Sequence, residues 1–250
     1  MNGLKEALEY IVGLNVPNYT IDCQGRTYAD KQMYRVEHDA QVEAVKLSTL
    51  DSLVEYLQKE GDERPERMYV HVKSPTEVLL IAPVEKLEDY RRNIFVTVQA
   101  DLPAFPFGKF MDSETFIIML KSMFMDYATE GIPCSGKEAV LRYAGNVQHG
   151  TLQTSIDDGV SQHAEIKVGV LQTDTEMAPS IVQLRPFRTF LEVEQPVSEF
   201  LFRIREDRGE GISCALFEAD GSMWKYTAKH SIAAYLRDKL DGMDNIIILS

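Results

Sequence analysis

Cysteine and tryptophan are rare in this chain of 250 residues, and long apolar runs are missing. The three cysteines, Cys23, Cys134 and Cys214, are odd in number and far apart, which is typical of a reduced intracellular protein. No apolar run approaches the ~18 residues of a membrane span. The start, MNGLKEALEYIVGL, lacks the basic segment of a signal peptide. The sequence therefore predicts a soluble, cytoplasmic protein with no membrane contact.

Basic residues are also in deficit. Lys and Arg number 26 against 39 Asp and Glu, for a formal net charge of -13. Proteins that bind duplex DNA gain affinity when a basic patch releases counterions from the phosphates. A strongly acidic chain opposes that contact, so direct binding to duplex DNA is not expected.

Recognisable catalytic and metal-binding patterns are missing as well. The five histidines show neither HxH nor HxxxH spacing, and there is no CxxC and no GxSxG. The sequence therefore predicts no catalytic residues, no metal site and no cofactor, and it favours a binding protein over an enzyme.

Periodic patterns predict both helices and strands. The predicted helices are 3–14, one capped by Ser48 with the apolar stripe Leu50, Leu53, Val54 and Leu57, one capped by Asp112 or Ser113 through Met125, KEAVLRYAGNV, and roughly 223–240 after Ser222. The predicted strands are 19–23, 34–37, 42–47, 68–72, 78–82, 94–98, TLQTSI, VSQHAEIKVGVLQ, RTFLEVEQ, EFLFRIR and ISCALFEA.

Helices and strands do not alternate regularly, which indicates an α+β fold. We expect an N-terminal α+β part at 1–100, a helical connector at 101–150, and at 151–250 an antiparallel β unit closed by a C-terminal helix. These parts are predicted to pack as one compact assembly.

Two local patterns have a functional and an ordinary interpretation. The segment GIPCSGKE, 131–138, has the spacing of a phosphate-binding loop, but Glu138 stands where a hydroxyl is needed and a helix precedes it. A helix–helix connector is favoured. Strand alternation in RTFLEVEQ places Glu192 and Glu194 on one face, which fits a catalytic carboxylate pair or, as favoured here, a solvated strand face.

One segment combines cations with aromatic rings. LRPFRTF, 184–190, is followed by Arg203 on the next strand and by Trp224-Lys225 beyond the next turn. Guanidinium groups bind phosphates and aromatic rings stack on bases. The candidate ligand-binding residues are Arg185, Phe187, Arg188, Arg203, Trp224 and Lys225. The alternative, favoured by the sequence, is that the arginines pair with Glu192, Glu194, Glu199 and Glu206.

The C-terminal half resembles bacteriophage and prophage proteins and, more distantly, the YfdQ-like family of phage proteins. The resemblance spans roughly 95–240 and depends on FGKFMDSETF, DDGVSQ, VQLRPFRTFLEVEQP, FLFRI and ALFEADGSMWK. It implies a virus-encoded protein of the bacterial cytoplasm and assigns no catalytic position.

Two functions follow as hypotheses. The first is a non-catalytic binding protein that sequesters a host protein or a small signalling nucleotide as a counter-defence. The second is an accessory of phage DNA replication or recombination that acts through protein contacts. A homo-oligomer, by default a dimer, is also expected, because Phe187, Phe190, Trp224 and the apolar tail 246–249 offer much apolar surface.

Overall fold

The structure of the chain is a computed structural model. The structure describes residues 4–6, 20–23, 26–29, 43–59, 66–84, 92–126, 136–149, 151–157, 162–168, 172–174, 181–207 and 211–250. These residues divide into two units, Met1–Val42 and Glu43–Ser250. Most of the helix predicted at 3–14, and the strand predicted at 34–37, lie outside the described residues.

The strands are β1 (Thr20–Cys23), β2 (Arg26–Ala29), β3 (Val45–Leu47), β4 (Met68–Ser74), β5 (Glu77–Ile81), β6 (Ile94–Gln99), β7 (Met111–Asp112), β8 (Phe124–Met125), β9 (Thr151–Asp157), β10 (Gln162–Val168), β11 (Gln172–Asp174), β12 (Ile181–Pro186), β13 (Ser198–Asp207), β14 (Gly211–Glu218) and β15 (Ile246–Leu249). The longer described helices are α1 (Leu50–Gln58), α2 (Ser113–Met123), α3 (Lys137–His149) and α4 (Met223–Lys239). In the first unit, β1 and β2 form an antiparallel hairpin. The predicted α+β class is confirmed.

A mixed sheet with the order β15-β4-β5-β6-β3 organises one core of the second unit. β4 and β5 form the predicted hairpin, while β3 and β15 add in parallel at the two edges. Alternate residues of β4 and β5 are buried, as expected for a sheet covered on one face. We call the apolar cluster on this face the mixed-sheet core; its buried members include Leu50, Leu53, Leu57, Val70, Val72, Leu80, Val98, Ile232 and Leu236.

Helix α1 begins one residue later than predicted. The cap is Thr49, whose Oγ1 accepts a hydrogen bond from Ser52 N at 3.2 Å. The predicted stripe Leu50, Leu53, Val54 and Leu57 is confirmed as the buried face. Helix α4 follows the antiparallel strands along the chain, as predicted, and its apolar side packs into the mixed-sheet core.

An antiparallel sheet with the order β7-β14-β13-β12-β8 organises the second core. Asp112 caps α2 by accepting from Thr115 N at 2.9 Å, which lowers the pKa of Asp112. The helix ends at Met123 rather than Met125, because Phe124–Met125 form β8 and pair with Arg185 and Pro186. We call the cluster under this sheet the aromatic core; it includes Phe105, Phe116, Phe124, Tyr143, Phe200 and Phe202.

A third sheet, β11-β10-β9, is antiparallel throughout, as predicted for this part of the chain. Among the helices that the structure describes, none is long and apolar enough to cross a membrane.

The strand predicted at RTFLEVEQ is wrong. Residues 187–197 form an irregular loop between β12 and β13, so alternation does not place Arg188, Glu192 and Glu194 on one face. Contacts distant in sequence override the β pattern. Phe190 is buried in the mixed-sheet core, and Glu192 accepts from Leu50 N at 2.6 Å at the start of α1.

Two of the apolar features from which self-association was predicted, Phe190 and the tail 246–249, make contacts within the chain. Phe190 is 1% exposed, and the tail 246–249 pairs with β4 as β15. Phe190 therefore contributes no exposed apolar surface, whereas the tail stays partly exposed, with Leu249 at 42%. Self-association remains a prediction.

Candidate functional site

A cleft of about 330 Å³ lies where the loop 187–197 begins and α4 starts. Its apolar wall includes Phe105, Phe107, Met123 and Phe187, and its polar groups include Thr76, Arg188, Glu218, Trp224 and Lys225. We call it the Trp224 cleft. The structure thus brings together Phe187, Arg188, Trp224 and Lys225 of the predicted candidates, whereas Arg185 and Arg203 do not line it.

Packed aromatic rings hold the apolar wall. The ring centroids of Phe105 and Phe107 lie 4.9 Å apart, and Phe107 stacks on Phe200 at 5.1 Å with an angle of 16° between the ring planes. Phe105 also meets Phe124 edge to face at 5.0 Å. These rings belong to the aromatic core or pack against it, so close packing holds the wall in place.

Arg188 is the most constrained polar group of the cleft, with 9% exposure. Its Nη1 donates to Glu218 Oε1 at 2.8 Å, its Nη2 donates to Ser198 Oγ, and Asp220 Oδ2 lies 3.8 Å from Nη2. Its guanidinium carbon is 3.9 Å from the centroid of the Trp224 ring. Burial lowers the pKa of Arg188 to about 10, while Glu218 and Asp220 oppose that change, so the group stays cationic at neutral pH.

This pairing limits what Arg188 can offer a ligand. Two carboxylates balance one guanidinium, so Arg188 creates little net positive potential in the cleft. Its role in this arrangement is to hold the Trp224 ring and the Glu218 carboxylate in place.

Trp224 and Lys225 stand in the first turn of α4. The capping residue Ser222 makes no side-chain cap hydrogen bond, and the first turn of the helix contains no acidic residue. The indole Nε1 of Trp224 is buried without a hydrogen-bond partner among the described residues. Lys225 is exposed, with Nζ 5.8 Å from the Trp224 centroid, and makes no ion pair within the described part of the chain. The group that a ligand can reach at the start of α4 is therefore the Lys225 cation, beside an indole N–H that the protein encloses.

The remaining candidate arginines have other partners. Arg185 pairs with Glu194 at 3.0 Å, one of the four glutamates that the sequence proposed. Arg203 Nη1 donates to Phe202 O at 3.2 Å. The ion pairs of Arg188 are with Glu218 and Asp220 instead of Glu192 and Glu194. The ordinary interpretation is therefore right for Arg185 and names the wrong partners for Arg188.

Gln195 organises the loop that presents Phe187 and Arg188, and sequence reasoning missed it. The side chain is 2% exposed. Its Oε1 accepts from Arg188 N at 3.0 Å and Thr189 N at 3.2 Å, and its Nε2 donates to Thr189 O at 3.1 Å and Phe190 O at 3.0 Å. Thr189 Oγ1 also donates to Pro75 O at 2.6 Å, which ties the loop to the β4–β5 turn. No local pattern distinguishes Gln195, Ser198 or Glu218 in the sequence.

The lysine of the phosphate-loop-like segment is occupied elsewhere. Lys137 is buried, and its Nζ donates to Phe124 O at 2.6 Å and Lys121 O at 3.2 Å. It also pairs with Asp126 at 2.8 Å. A lysine held on carbonyls at the end of α2 is not presented to a phosphate, which supports the connector interpretation. Residues 131–135 of the segment lie outside the described residues.

A second cavity, of about 310 Å³, lies at the start of α1. Among the described residues its lining contains Asp51, Asp101 and Glu192 and no basic residue. This cavity disfavours an anion.

Catalytic chemistry finds little support in the described part of the chain. No group of three or more His, Cys, Asp or Glu is arranged to hold a metal there. Burial raises the pKa of Cys214 to about 12, so its thiol is a poor nucleophile. Glu192 accepts a hydrogen bond at the start of α1, and Glu194 forms an ion pair with Arg185. The two glutamates therefore do not form a catalytic carboxylate pair.

Comparison with known proteins finds no likeness. No protein-family model matches the chain, and no match was found among curated proteins or solved structures. The chemistry of the Trp224 cleft is therefore the basis for a functional proposal.

Proposed function

We propose that this chain is a non-catalytic binding protein that captures a small nucleotide in the Trp224 cleft. The phage resemblance would make this a sequestration of a signalling nucleotide in an infected bacterial cell, as a counter-defence. The observation that carries the proposal is the placement of Trp224 and Lys225 beside a wall of phenylalanine rings.

Nucleotides combine a planar ring with an anionic group, and the cleft has a counterpart for each. Phe107, Phe187 and Trp224 supply flat apolar surface on which a base can stack. Lys225, which makes no ion pair among the described residues, supplies a charge for a phosphate. A volume of about 330 Å³ falls at the small end of ligand sites, which suits one nucleotide better than a larger cofactor.

Binding without catalysis is proposed because the cleft lining has no assembled reactive group. Among the lining residues that the structure describes, the one carboxylate, Glu218, is paired with Arg188, and there is no histidine or cysteine. General acid–base or nucleophilic chemistry needs such a group within reach of a partner.

The test is a thermal melt and calorimetric titration of the full chain with a panel of ribonucleotides. A ligand at 100 times its Kd should stabilise the fold by about 2.7 kcal/mol. For a unit of this size that raises the melting temperature by about 5–10 °C. If no nucleotide changes the melting temperature or gives binding heat, the proposal is overturned.

Matched variants locate the effect. Phe187→Ala removes a half-buried ring from the cleft wall and should weaken binding, while Leu191→Ala changes a side chain on the same loop that is 67% exposed and outside the cleft. Equal losses of affinity in both variants would contradict the proposal that the nucleotide binds in the Trp224 cleft. A gel shift with single-stranded DNA at low salt tests the replication hypothesis, and tight binding there would favour it instead.

A further inference from the structure

We infer, on the basis of the proposed nucleotide site, that the Trp224 cleft prefers a guanine nucleotide, with the base at Glu218 and the phosphate at Lys225. Three features carry this inference: a fixed carboxylate, an exposed lysine in the first turn of a helix, and the carboxylates that surround Arg188.

Glu218 is an acceptor held in position. Its Oε1 receives Arg188 Nη1 at 2.8 Å, and Arg188 is itself fixed by Ser198 and by the Trp224 ring. The Glu218 side chain is still 34% exposed and lines the cleft. Its carboxylate therefore retains acceptor capacity for a ligand and has no hydrogen to donate.

An acceptor-only group discriminates among bases. Guanine carries two adjacent donors, its ring N1–H and its 2-amino group, on the edge that a carboxylate can meet. Adenine and cytosine place a donor beside an acceptor on that edge, and the ring N–H of uracil lies between two carbonyls. Only guanine meets the carboxylate without bringing an acceptor against it, and hydrogen bonds to a charged acceptor are the stronger kind.

The start of α4 favours an anionic group on the ligand. Lys225 places a point charge 5.8 Å from the centroid of the Trp224 ring, at the start of a helix of 17 residues with no acidic residue in its first turn. Asp220, which precedes the helix, is already engaged by Ser222 N at 3.0 Å and by Arg188.

Charge then orients the ligand. Glu218 and Asp220 surround Arg188 and repel a phosphate from that end, so the phosphate lies toward Lys225 and the base toward Glu218.

The experiment titrates the wild-type chain with GMP, IMP, AMP and guanosine, using calorimetry and the fluorescence of the single tryptophan. IMP lacks the 2-amino group of GMP, and guanosine lacks the phosphate. We expect GMP to bind at least about 10-fold more tightly than IMP, AMP or guanosine, the factor expected for one charge-assisted hydrogen bond or ion pair.

Two variants test which residue contacts the base and which contacts the phosphate. Glu218→Gln should reduce the preference for GMP over AMP, with the exposed Glu199→Gln on β13 as its control. Lys225→Met should reduce the preference for GMP over guanosine and leave the preference for GMP over AMP intact.

The possible outcomes separate the inference from the function beneath it. Equal affinities for GMP and AMP overturn the assignment of the base to Glu218. Equal affinities for GMP and guanosine overturn the assignment of the phosphate. In both cases nucleotide binding itself survives, whereas the absence of any binding overturns the proposed function together with the inference.

Discussion

Replacing Gln195 with glutamate should show how far one buried amide holds the loop 187–197 and the cleft that depends on it. The change keeps the size of the side chain and an oxygen that can accept from Arg188 N and Thr189 N. It removes the two N–H groups that reach Thr189 O at 3.1 Å and Phe190 O at 3.0 Å. A carboxylate oxygen then faces these carbonyl oxygens at a site that is 2% exposed.

The loss can be estimated from these contacts. Each buried carbonyl left without a donor costs about 1–3 kcal/mol, and the buried charge adds to that. We expect Gln195→Glu to lower the free energy of unfolding by about 3–5 kcal/mol at neutral pH. Gln99→Glu, at an exposed position at the end of β6, is the matched control and should change it by less than about 0.5 kcal/mol.

The pH dependence of the penalty has a definite sign. Burial beside carbonyl oxygens raises the folded-state pKa of the introduced carboxyl above its unfolded value. Over the pH range between those two values the folded chain takes up a proton that the unfolded chain does not, so the penalty shrinks as the pH falls through the folded-state pKa. It does not vanish, because a protonated carboxyl supplies one donor where the amide supplied two.

The assay is urea denaturation at several pH values, followed by far-ultraviolet circular dichroism and by the fluorescence of Trp224. A Gln195→Glu variant as stable as the wild type at neutral pH, or a penalty that is the same at all pH values, would refute the reasoning.

Three further predictions concern other parts of the chain. Lys137→Met should lower the free energy of unfolding by about 1–3 kcal/mol, because the carbonyls of Lys121 and Phe124 lose a buried donor; the exposed Lys121→Met should match wild type in the same denaturation series. Cys214 should resist iodoacetamide near neutral pH until the chain unfolds, since burial raises its pKa to about 12, and its alkylation in the folded chain, seen by mass spectrometry, would contradict this. The predicted dimer should be visible by light scattering at micromolar concentration; a monomeric wild type would defeat it.

The spacing of apolar residues predicted helices and strands correctly wherever residues close in sequence determine the secondary structure. The stripe of α1, the β4–β5 hairpin and the strands β13 and β14 could all be predicted, because each buries one face with its own period. The segment 187–197 has an equally good strand pattern and is a loop. Phe190 is buried in the mixed-sheet core. Gln195 forms hydrogen bonds with the backbone N–H and C=O of Thr189, which a neighbouring strand would pair with in a sheet.

The candidate site was predictable in part for the same reason. Density of cations and aromatic rings identified Phe187, Arg188, Trp224 and Lys225, which the fold brings to one cleft. The sequence could not identify Glu218 or the Phe105–Phe107 wall as their neighbours, since these come from β14 and from the loop before α2. It also could not distinguish Arg188, which is buried and balanced by carboxylates, from an arginine that is free to bind an anion.

The most direct test of the nucleotide site is a proton–nitrogen correlation spectrum of the chain during titration with GMP. The chain has one tryptophan, so the spectrum contains one indole N–H resonance, that of Trp224. That N–H has no hydrogen-bond partner among the described residues, and its ring lines the cleft beside Lys225, the group proposed to meet the phosphate. We predict that this resonance moves saturably as GMP is added and moves less with guanosine. An indole resonance that stays in place at millimolar GMP would contradict the proposed site.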